Sequence, residues 1–369
     1  MKVIHCADLH LDSRLTSVLP KELANKRKRE LVVTFLNMVD YAVNNDVSSI
    51  IIAGDMFDTD RILVSTRNSV IGAILANPSI DFYYLRGNHD MDNVLSEEAS
   101  IPDNLHFFDD SWTGYILNGK TKGNIRLYGA ELTKANSKDL CLKLQPDSAQ
   151  FNIVTLHGQI SASAAKDKAE NINVKDLKGK GIDYLALGHI HAYKEEMIDA
   201  RCTLCYPGCL EGRGFDECGE KGFVVLDIDE ESRTYTHEFV PFASRMLFEE
   251  EIDVTGVSGT YEILENIRAF MDNTTIESKH LVRLVLTGQV DVDCDINLDQ
   301  IEESFEDRFF IFKVKDDTKI RIDTNLFAKD NYLKGEFIRT VEEDDSLSDE
   351  DKRQIIRIGL QGFNGEDFE

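Results

Sequence analysis

Five short apolar runs, each closing on residues of metal-ligand type, constrain this chain more than any other feature. Residues 2–6 (KVIHC) run into Asp8 and His10, and 49–53 (SIIIA) into Gly54, Asp55 and Asp58. Residues 82–85 (FYYL) lead to Gly87, Asn88, His89 and Asp90, 152–156 (NIVTL) to His157, and 184–187 (YLAL) to Gly188, His189 and His191. Runs this short, rich in Val, Ile and Tyr and closed by Gly or Asp, read as buried strands. Between them Leu31, Phe35, Met38, Val39 and Ala42 recur at helical spacing, and residues 62–75 give a second, weaker helical pattern. Strands alternating with helices predict a layered α/β domain. In such sheets a site gathers where several strands end on one edge, so these strand ends predict one site that collects them all.

Beyond residue 220 the character changes. Residues 222–228 and 234–240 read as strands without ligand residues. Then strand 247–254, helix 261–271, strand 280–286, helix 298–305 and strand 309–314 make a small α/β domain with no catalytic cluster. From Asn325 the pattern is helical and ends in an acidic segment. The expected organisation is a catalytic domain over 1–245, a capping domain over 246–325 and a helical tail over 326–369. That agrees with the two or three domains that about 150 residues per domain suggests for 369 residues.

No stretch approaches the ~20 apolar residues of a membrane span, and the opening MKVIHCADLHLDS lacks the apolar core of a signal peptide. Seven scattered cysteines suit reduced thiols better than a disulfide framework. The expectation is a cytoplasmic protein with no membrane partner. Lys and Arg total 41 against 67 Asp and Glu, a net charge of −26. Such a surface does not by itself attract nucleic acid, whose nonspecific binding rests on cations that neutralise phosphates. A polyanionic substrate must meet a local cationic feature, either bound metal ions or a partner subunit.

Paired hard cations such as Mn²⁺, Mg²⁺ or Fe²⁺ take carboxylate, imidazole and amide ligands, with one carboxylate bridging them, and activate water for attack on phosphorus. Asp8 and His10 stand two apart, as do His189 and His191, so on an ideal strand each pair faces one side. The five motifs in order, DLH, GDMFD, GNHD, LHG and GHIH, resemble the calcineurin-like metallophosphoesterase superfamily over residues 1–245. That resemblance implies an α/β fold, a two-sheet sandwich flanked by helices. It implies two divalent ions, with Mn²⁺ expected and Mg²⁺ or Fe²⁺ as alternatives. Asp8, His10 and His191 would hold one ion and Asn88, His157 and His189 the other, with Asp55 between them. His89 matches the family histidine that serves the leaving oxygen, and Asp58 the carboxylate that orients it.

The opening HCADLHLDS, the segment Tyr206-Pro207-Gly208 with Glu211-Gly212-Arg213-Gly214-Phe215-Asp216-Glu217, and Lys221-Gly222-Phe223 look like the SbcD branch of DNA-repair nucleases, nearest its bacterial YhaO-type exonucleases. In that branch a capping domain follows the catalytic domain and a C-terminal helical segment engages an SbcC-type ATPase. The resemblance therefore implies a metal-dependent DNA exonuclease or endonuclease with DNA and an SbcC-type ATPase as partners; a homodimer is left open. Two rivals stand beside it: a phosphatase or phosphodiesterase acting on small molecules or phosphoproteins, which the acidic surface favours, and a non-catalytic scaffold for the ATPase.

Several features need weighing. Cys202, Cys205, Cys209 and Cys218 open like a zinc cluster, but the second pair is wrongly spaced for one. His5, inside the first run, reads as a packed core histidine, and His106, His237 and His280 lack ligand neighbours. The run Lys26-Arg27-Lys28-Arg29 reads either as a solvated helix turn or as a contact to the nucleic-acid backbone. Arg213 is a second phosphate-contact candidate. In the tail, Ser348 is a plausible N-cap, Ile355, Ile356, Leu360 and Phe363 form an apolar stripe, and residues 342–345 read as a solvated hinge.

Overall fold

The first run becomes β1 (Lys2–Cys6), whose Val3, Ile4 and Cys6 are wholly buried. The computed structural model describes residues 1–15, 19–58, 62–90, 95, 101–117, 124–161, 171–291, 294–321, 332–344, 346–348, 352, 355–356, 358–359 and 362. It divides the chain into two units, Met1–Met246 and Leu247–Glu369.

In the first unit β1 is followed by α1 (Lys21–Asn44), β2 (Val47–Ala53), α2 (Val64–Ala76), β3 (Asp81–Leu85) and β4 (Leu105–Phe107). The four strands pair in parallel. β13 (Gly222–Asp229) and β14 (Thr234–Pro241) extend the other edge antiparallel, giving a six-stranded sheet in the order β14-β13-β1-β2-β3-β4. The second six-stranded sheet contains β5 (Thr113–Ile116), β6 (Ile125–Gly129), β7 (Phe151–His157), β10 (Tyr184–Gly188), β11 (Lys194–Met197) and β12 (Thr203–Tyr206), in the order β11-β12-β10-β7-β6-β5. A short helix, α3 (Leu140–Lys143), and a two-stranded pair, β8 (Gln159–Ser161) with β9 (Asn171–Asn173), complete it.

The two sheets form the sandwich that the resemblance implied. Val3, Ile51, Tyr83 and Val224 of one interleave with Leu127, Ile153, Tyr184 and Cys205 of the other in a single core. Burial of such side chains supplies roughly 1.5–3 kcal/mol each. α1 packs on the outside through Ala24, Arg27, Leu31, Thr34, Phe35, Met38, Val39 and Ala42, a stripe of helical period. Two of its members, Arg27 and Thr34, are polar yet each only 1% exposed.

The second unit has β15 (Leu247–Asp253), β16 (Leu281–Thr287) and β18 (Ile311–Asp316) in a parallel three-stranded sheet. α4 (Thr260–Asn273) and α5 (Leu298–Phe305) cross between them, and β17 (Gln289–Asp291) pairs with β19 (Lys319–Arg321). Ile263 and Ile267 of α4 and Ile301 of α5 meet Val282, Leu284 and Phe312 in its core. Further on comes the helix Leu333–Glu342. Ile356 is buried against its Ile338 and Val341, with Phe337 and Leu347 beside them. Part of the expected apolar stripe is thus folded back on the preceding helix. Ile355 remains 36% exposed, while Leu360 and Phe363 lie outside the described residues. The expected hinge is a capped turn over its described part: Glu342 still belongs to the helix, and Glu343 N and Asp344 N donate to Arg339 O and Val341 O. Asp345 lies outside the described residues. No described helix is long and apolar enough to cross a membrane.

Candidate metal centre

Within each sheet the carboxyl ends of parallel neighbours share an edge. β1, β2 and β3 bring Asp8, His10, Asp55, Asp58, Asn88 and His89; β7 and β10 bring His157, His189 and His191. Two residues stitch the two edges together: His157 Nδ1 lies 2.9 Å from Ala53 O, and His189 N donates to both oxygens of Asp8 at 3.0 Å. Within the second edge, Gly158 N donates to Gly188 O at 3.1 Å.

The backbone does not run on as ideal strand, contrary to the expectation drawn from the D-x-H and H-x-H spacing. β1 ends at Cys6, and Asp8, His10, Asp55 and His189 all have positive φ, at 52°, 45°, 52° and 102°. Such conformations cost a non-glycine residue of order 1–3 kcal/mol and persist only where surroundings hold them. Here Asp8 N donates to Gly54 O, His10 N to Asp55 O and Leu11 N to Met56 O, so the two loops brace each other. Two glycines permit the crowding. A Cβ on Gly188 would lie 1.9 Å from Ala53 O, and one on Gly87 would lie 2.1 Å from Asp55 Oδ1.

The side chains converge as two overlapping groups. One ligating atom each from Asp8, His10 and His191 fall within 4.8 Å of one another, as do those from Asp8, Asp55 and His157. His10 Nε2 and His191 Nε2 face each other at 3.3 Å. Glu217 Oε1 accepts from His191 Nδ1 at 2.6 Å, which leaves Nε2 as the inward lone pair. His157 Nε2 lies 3.0 Å from Asn88 Oδ1 and 3.3 Å from Asp55 Oδ2, and the His189 ring stands edge-on to His157. Asp8 and Asp55 are each 1% exposed. Buried carboxylates and facing imidazole lone pairs suit hard divalent cations, which would relieve the crowding of acceptors.

The electrostatics follow from that crowding. Burial pushes Asp8 up to about 6 against the pull of His157 and His191. Burial also resists charge on Asp55, yet the hydrogen bond and charge of His157 hold it at about 2. His157 is raised to about 9, because Asp55 and Asp8 outweigh its desolvation.

Beside these groups, His89 Nδ1 lies 3.0 Å from Asp58 Oδ1, with its ring 49% exposed. Ser13 Oγ donates to Asp58 Oδ2 at 2.6 Å, and His10 Nδ1 lies 3.3 Å from Asp58 Oδ1. Against burial, these partners hold Asp58 well below the usual carboxylate range, while the Asp58 hydrogen bond raises His89. Arg213 spans the same corner, with Nη1 3.6 Å from Asp58 and Nη2 donating to Glu217 at 3.0 Å.

The basic run does not act as a block. Arg27 is 1% exposed and points inward: Nη2 donates to Glu211 Oε2 at 2.9 Å and to Gly212 O at 3.0 Å. It is therefore withdrawn from the substrate contacts proposed for the run. Lys26 and Arg29 are exposed and Lys28 half-buried. Among the demoted histidines, His5 is fully buried with Nδ1 2.9 Å from the Tyr184 hydroxyl, and His106 and His237 pair with Asp81 and Glu195. Cys202 and Cys205 lie in the core, where burial pushes both thiols up to about 12.

Three supporting residues escaped the sequence reading. Asp90 accepts from Phe57 N at 2.9 Å, Met56 N at 3.2 Å and Gly87 N at 2.9 Å, tying the GNHD turn to the GDMFD turn. Glu217 fixes His191. Glu211 accepts from Arg27, Thr34 and Ser244 N. All three lie within quoted motifs, and an acid beside glycines in a turn was the available signal.

Comparison with known proteins agrees with this arrangement. The family model described as calcineurin-like phosphoesterase matches residues 1–193. The chain is 26% identical over 356 residues to the uncharacterized metallophosphoesterase YhaO of Bacillus subtilis (strain 168), covering 90% of this chain and 85% of that protein. It is 21% identical to the DNA double-strand break repair protein Mre11 of Sulfolobus acidocaldarius, covering 99% of each. A second Mre11, of Saccharolobus solfataricus, is 28% identical over 63% of this chain and 61% of that protein. Phosphoesterases of this family use a dinuclear metal centre, and the chain belongs to the calcineurin-like phosphoesterase family, whose members hydrolyse phosphoester bonds.

Proposed function

We propose that this protein is a dinuclear metal phosphodiesterase that cleaves DNA, with Mn²⁺ as its activating ion and an SbcC-type ATPase as its partner. The convergence of five strand ends on one cluster of buried carboxylates and buried or half-buried imidazoles carries the phosphodiesterase reading. The nuclease reading draws on similarity to the Mre11 repair protein across 99% of the chain.

In this reading Asp8, His10 and His191 would hold one ion and Asn88, His157 and His189 the other, with Asp55 available to both. Two bound divalent ions supply Lewis acidity that activates water and offsets phosphoryl charge. The protein's own groups do the rest. Asp58 keeps His89 oriented and raises its proton affinity, so the exposed imidazole can deliver a proton to the leaving oxygen. Glu217 holds the His191 tautomer, and Arg213 brings a guanidinium to the Asp58 corner, where it can meet a phosphate oxygen.

The net charge of −26 favours a second reading, hydrolysis of small phosphate esters or phosphoproteins. One experiment separates the two: Mn²⁺-dependent degradation of end-labelled linear DNA, run beside p-nitrophenyl phosphate and bis-p-nitrophenyl phosphate. The nuclease reading expects DNA and diester cleavage. Turnover of the monoester alone would replace it with the phosphatase.

A further inference from the structure

Arg27 carries a charge in a place that an apolar side chain would fill more cheaply. Taking paired ions out of water is expensive, and well-packed apolar residues commonly serve stability as well or better. Yet four charged side chains meet here: Arg27 with Glu211 and Glu30, and Glu30 with Arg245 at 2.8 Å. What such a group provides is fixed orientation, because a planar guanidinium bonded to several acceptors has one pose.

We propose that Arg27 and Glu211 form a positioning pair that sets loop 211–217, and through it His191 and Asp58, from helix α1. This inference rests on the metal-centre reading above. The contacts form an unbroken series. Glu211 Oε2 takes Arg27, and Oε1 takes Thr34 Oγ1 at 2.6 Å and Ser244 N at 2.6 Å. Arg27 also grips Gly212 O at 3.0 Å, one residue before Arg213. Arg213 N then donates to Glu217 Oε2 at 2.7 Å, and its side chain joins Glu217 to Asp58. Glu217 in turn holds His191 Nδ1. The loop thus touches a candidate metal ligand on one side and the partner of His89 on the other. Its only buried ionic anchor to α1, among the described residues, is Arg27–Glu211. Misplacement of such groups by about 1 Å can lower rate ~10²-fold.

The test compares wild type with Thr34→Val, Arg27→Lys, Arg27→Met and the surface control Lys21→Met on the same helix. Metal-free melting temperature, Mn²⁺ affinity by calorimetry, and kcat and KM on bis-p-nitrophenyl phosphate are read for each. Outer-shell losses typically reach 10–100-fold in affinity or rate. Arg27→Met should therefore weaken one of two Mn²⁺ sites by ~10-fold and lower kcat similarly, with KM little changed. Arg27→Lys returns the charge but not the planar fork, so it should recover melting temperature without recovering kcat or Mn²⁺ affinity. Thr34→Val should show a smaller loss of the same kind, and Lys21→Met none. Should Arg27→Met fail to fold, the other two variants decide. Wild-type kcat and Mn²⁺ affinity in folded Arg27→Lys and Thr34→Val would overturn the inference alone. Fewer than two Mn²⁺ bound by wild type would instead overturn the metal-centre reading, and this inference with it.

Discussion

The two units use the same parallel strand–helix–strand construction and differ in what gathers at their strand ends. In Met1–Met246 the ends of β1, β2 and β10 hold four non-glycine residues at positive φ beside two carboxylates that are 1% exposed. In Leu247–Glu369 no described non-glycine residue has positive φ, and no described trio could ligate a metal. Among its described acids, Asp253 is solvated in an exposed turn with Thr255, and Glu302 and Glu249 are ion-paired to Lys313 and Arg283. Parallel architecture alone therefore does not make a site. Strained backbone and crowded buried charge mark the edge of the candidate site.

The sharpest break of that comparison is Asp55→Ala. If the first unit's edge is a shared metal cage, this variant should lose both ions and fall to background activity, whereas His191→Ala should chiefly weaken one ion. Elemental analysis that finds two full equivalents in purified Asp55→Ala would remove Asp55 from the shared position. Next in size, His89→Ala should lose ~10²–10⁴ in kcat while keeping its metals, the loss expected for a positioned acid. Loss of the metals with the rate would make His89 a ligand.

A pH experiment sharpens the contrast in buried charge. His157, raised to about 9, carries a proton in the metal-free protein at pH 7.5, whereas Asp8, raised to about 6, is mostly ionised there. Metal uptake at pH 7.5 should therefore release about one proton, and more near pH 6. Calorimetry in buffers of different ionisation enthalpy reads this directly, and a heat independent of buffer would contradict it. The sign for stability follows: because His157 is raised, its contribution to the metal-free fold is fully present below about pH 6.5 and lost as pH rises through about 9.

The sequence revealed the first unit's strands better than the turns that make them functional. β1, β2, β3, β7 and β10 are near-continuous apolar runs because both faces are covered, and that pattern is plain. β11 escaped because Lys194–Met197 is exposed along its whole length, an edge strand without an apolar face. The candidate ligands were legible as motifs, but the left-handed backbone of Asp8, His10, Asp55 and His189 was not, since spacing two apart also fits a strand. Arg27 was misread for a related reason. Charge runs are read as one solvated surface, whereas helical period turns the second residue of this run onto the stripe with Ala24 and Leu31.

The basic run then gives a smaller test within the first unit. Lys26, Lys28 and Arg29 replaced by Gln, with Arg27 kept, should weaken DNA binding at low salt and flatten its salt dependence while metal content stays unchanged. An unaltered salt slope would make the run a solvated helix turn.

The smallest expected effect on chemistry comes from the second unit. We propose that its helical end docks the ATPase, and the packing there dictates how to test it. Ile356 is buried on Ile338 and Val341, so a cut at residue 341 would strip a partner from the preceding helix and expose it. Removing 332–369 takes both sides of that contact together. Ile355 and Ile358 stay 36% and 46% exposed, and Tyr332 and Leu333 80% and 68%, which leaves apolar surface for a partner helix or groove beside the buried contact of Ile356 with Ile338 and Val341. The truncated protein should keep its metals and its rate on bis-p-nitrophenyl phosphate, because the deletion removes no residue of the first unit. It should fail to co-purify with an SbcC-type ATPase encoded beside it. Unimpaired complex formation would move the docking surface elsewhere, and a lost diesterase rate would show that the second unit contributes to the chemistry after all.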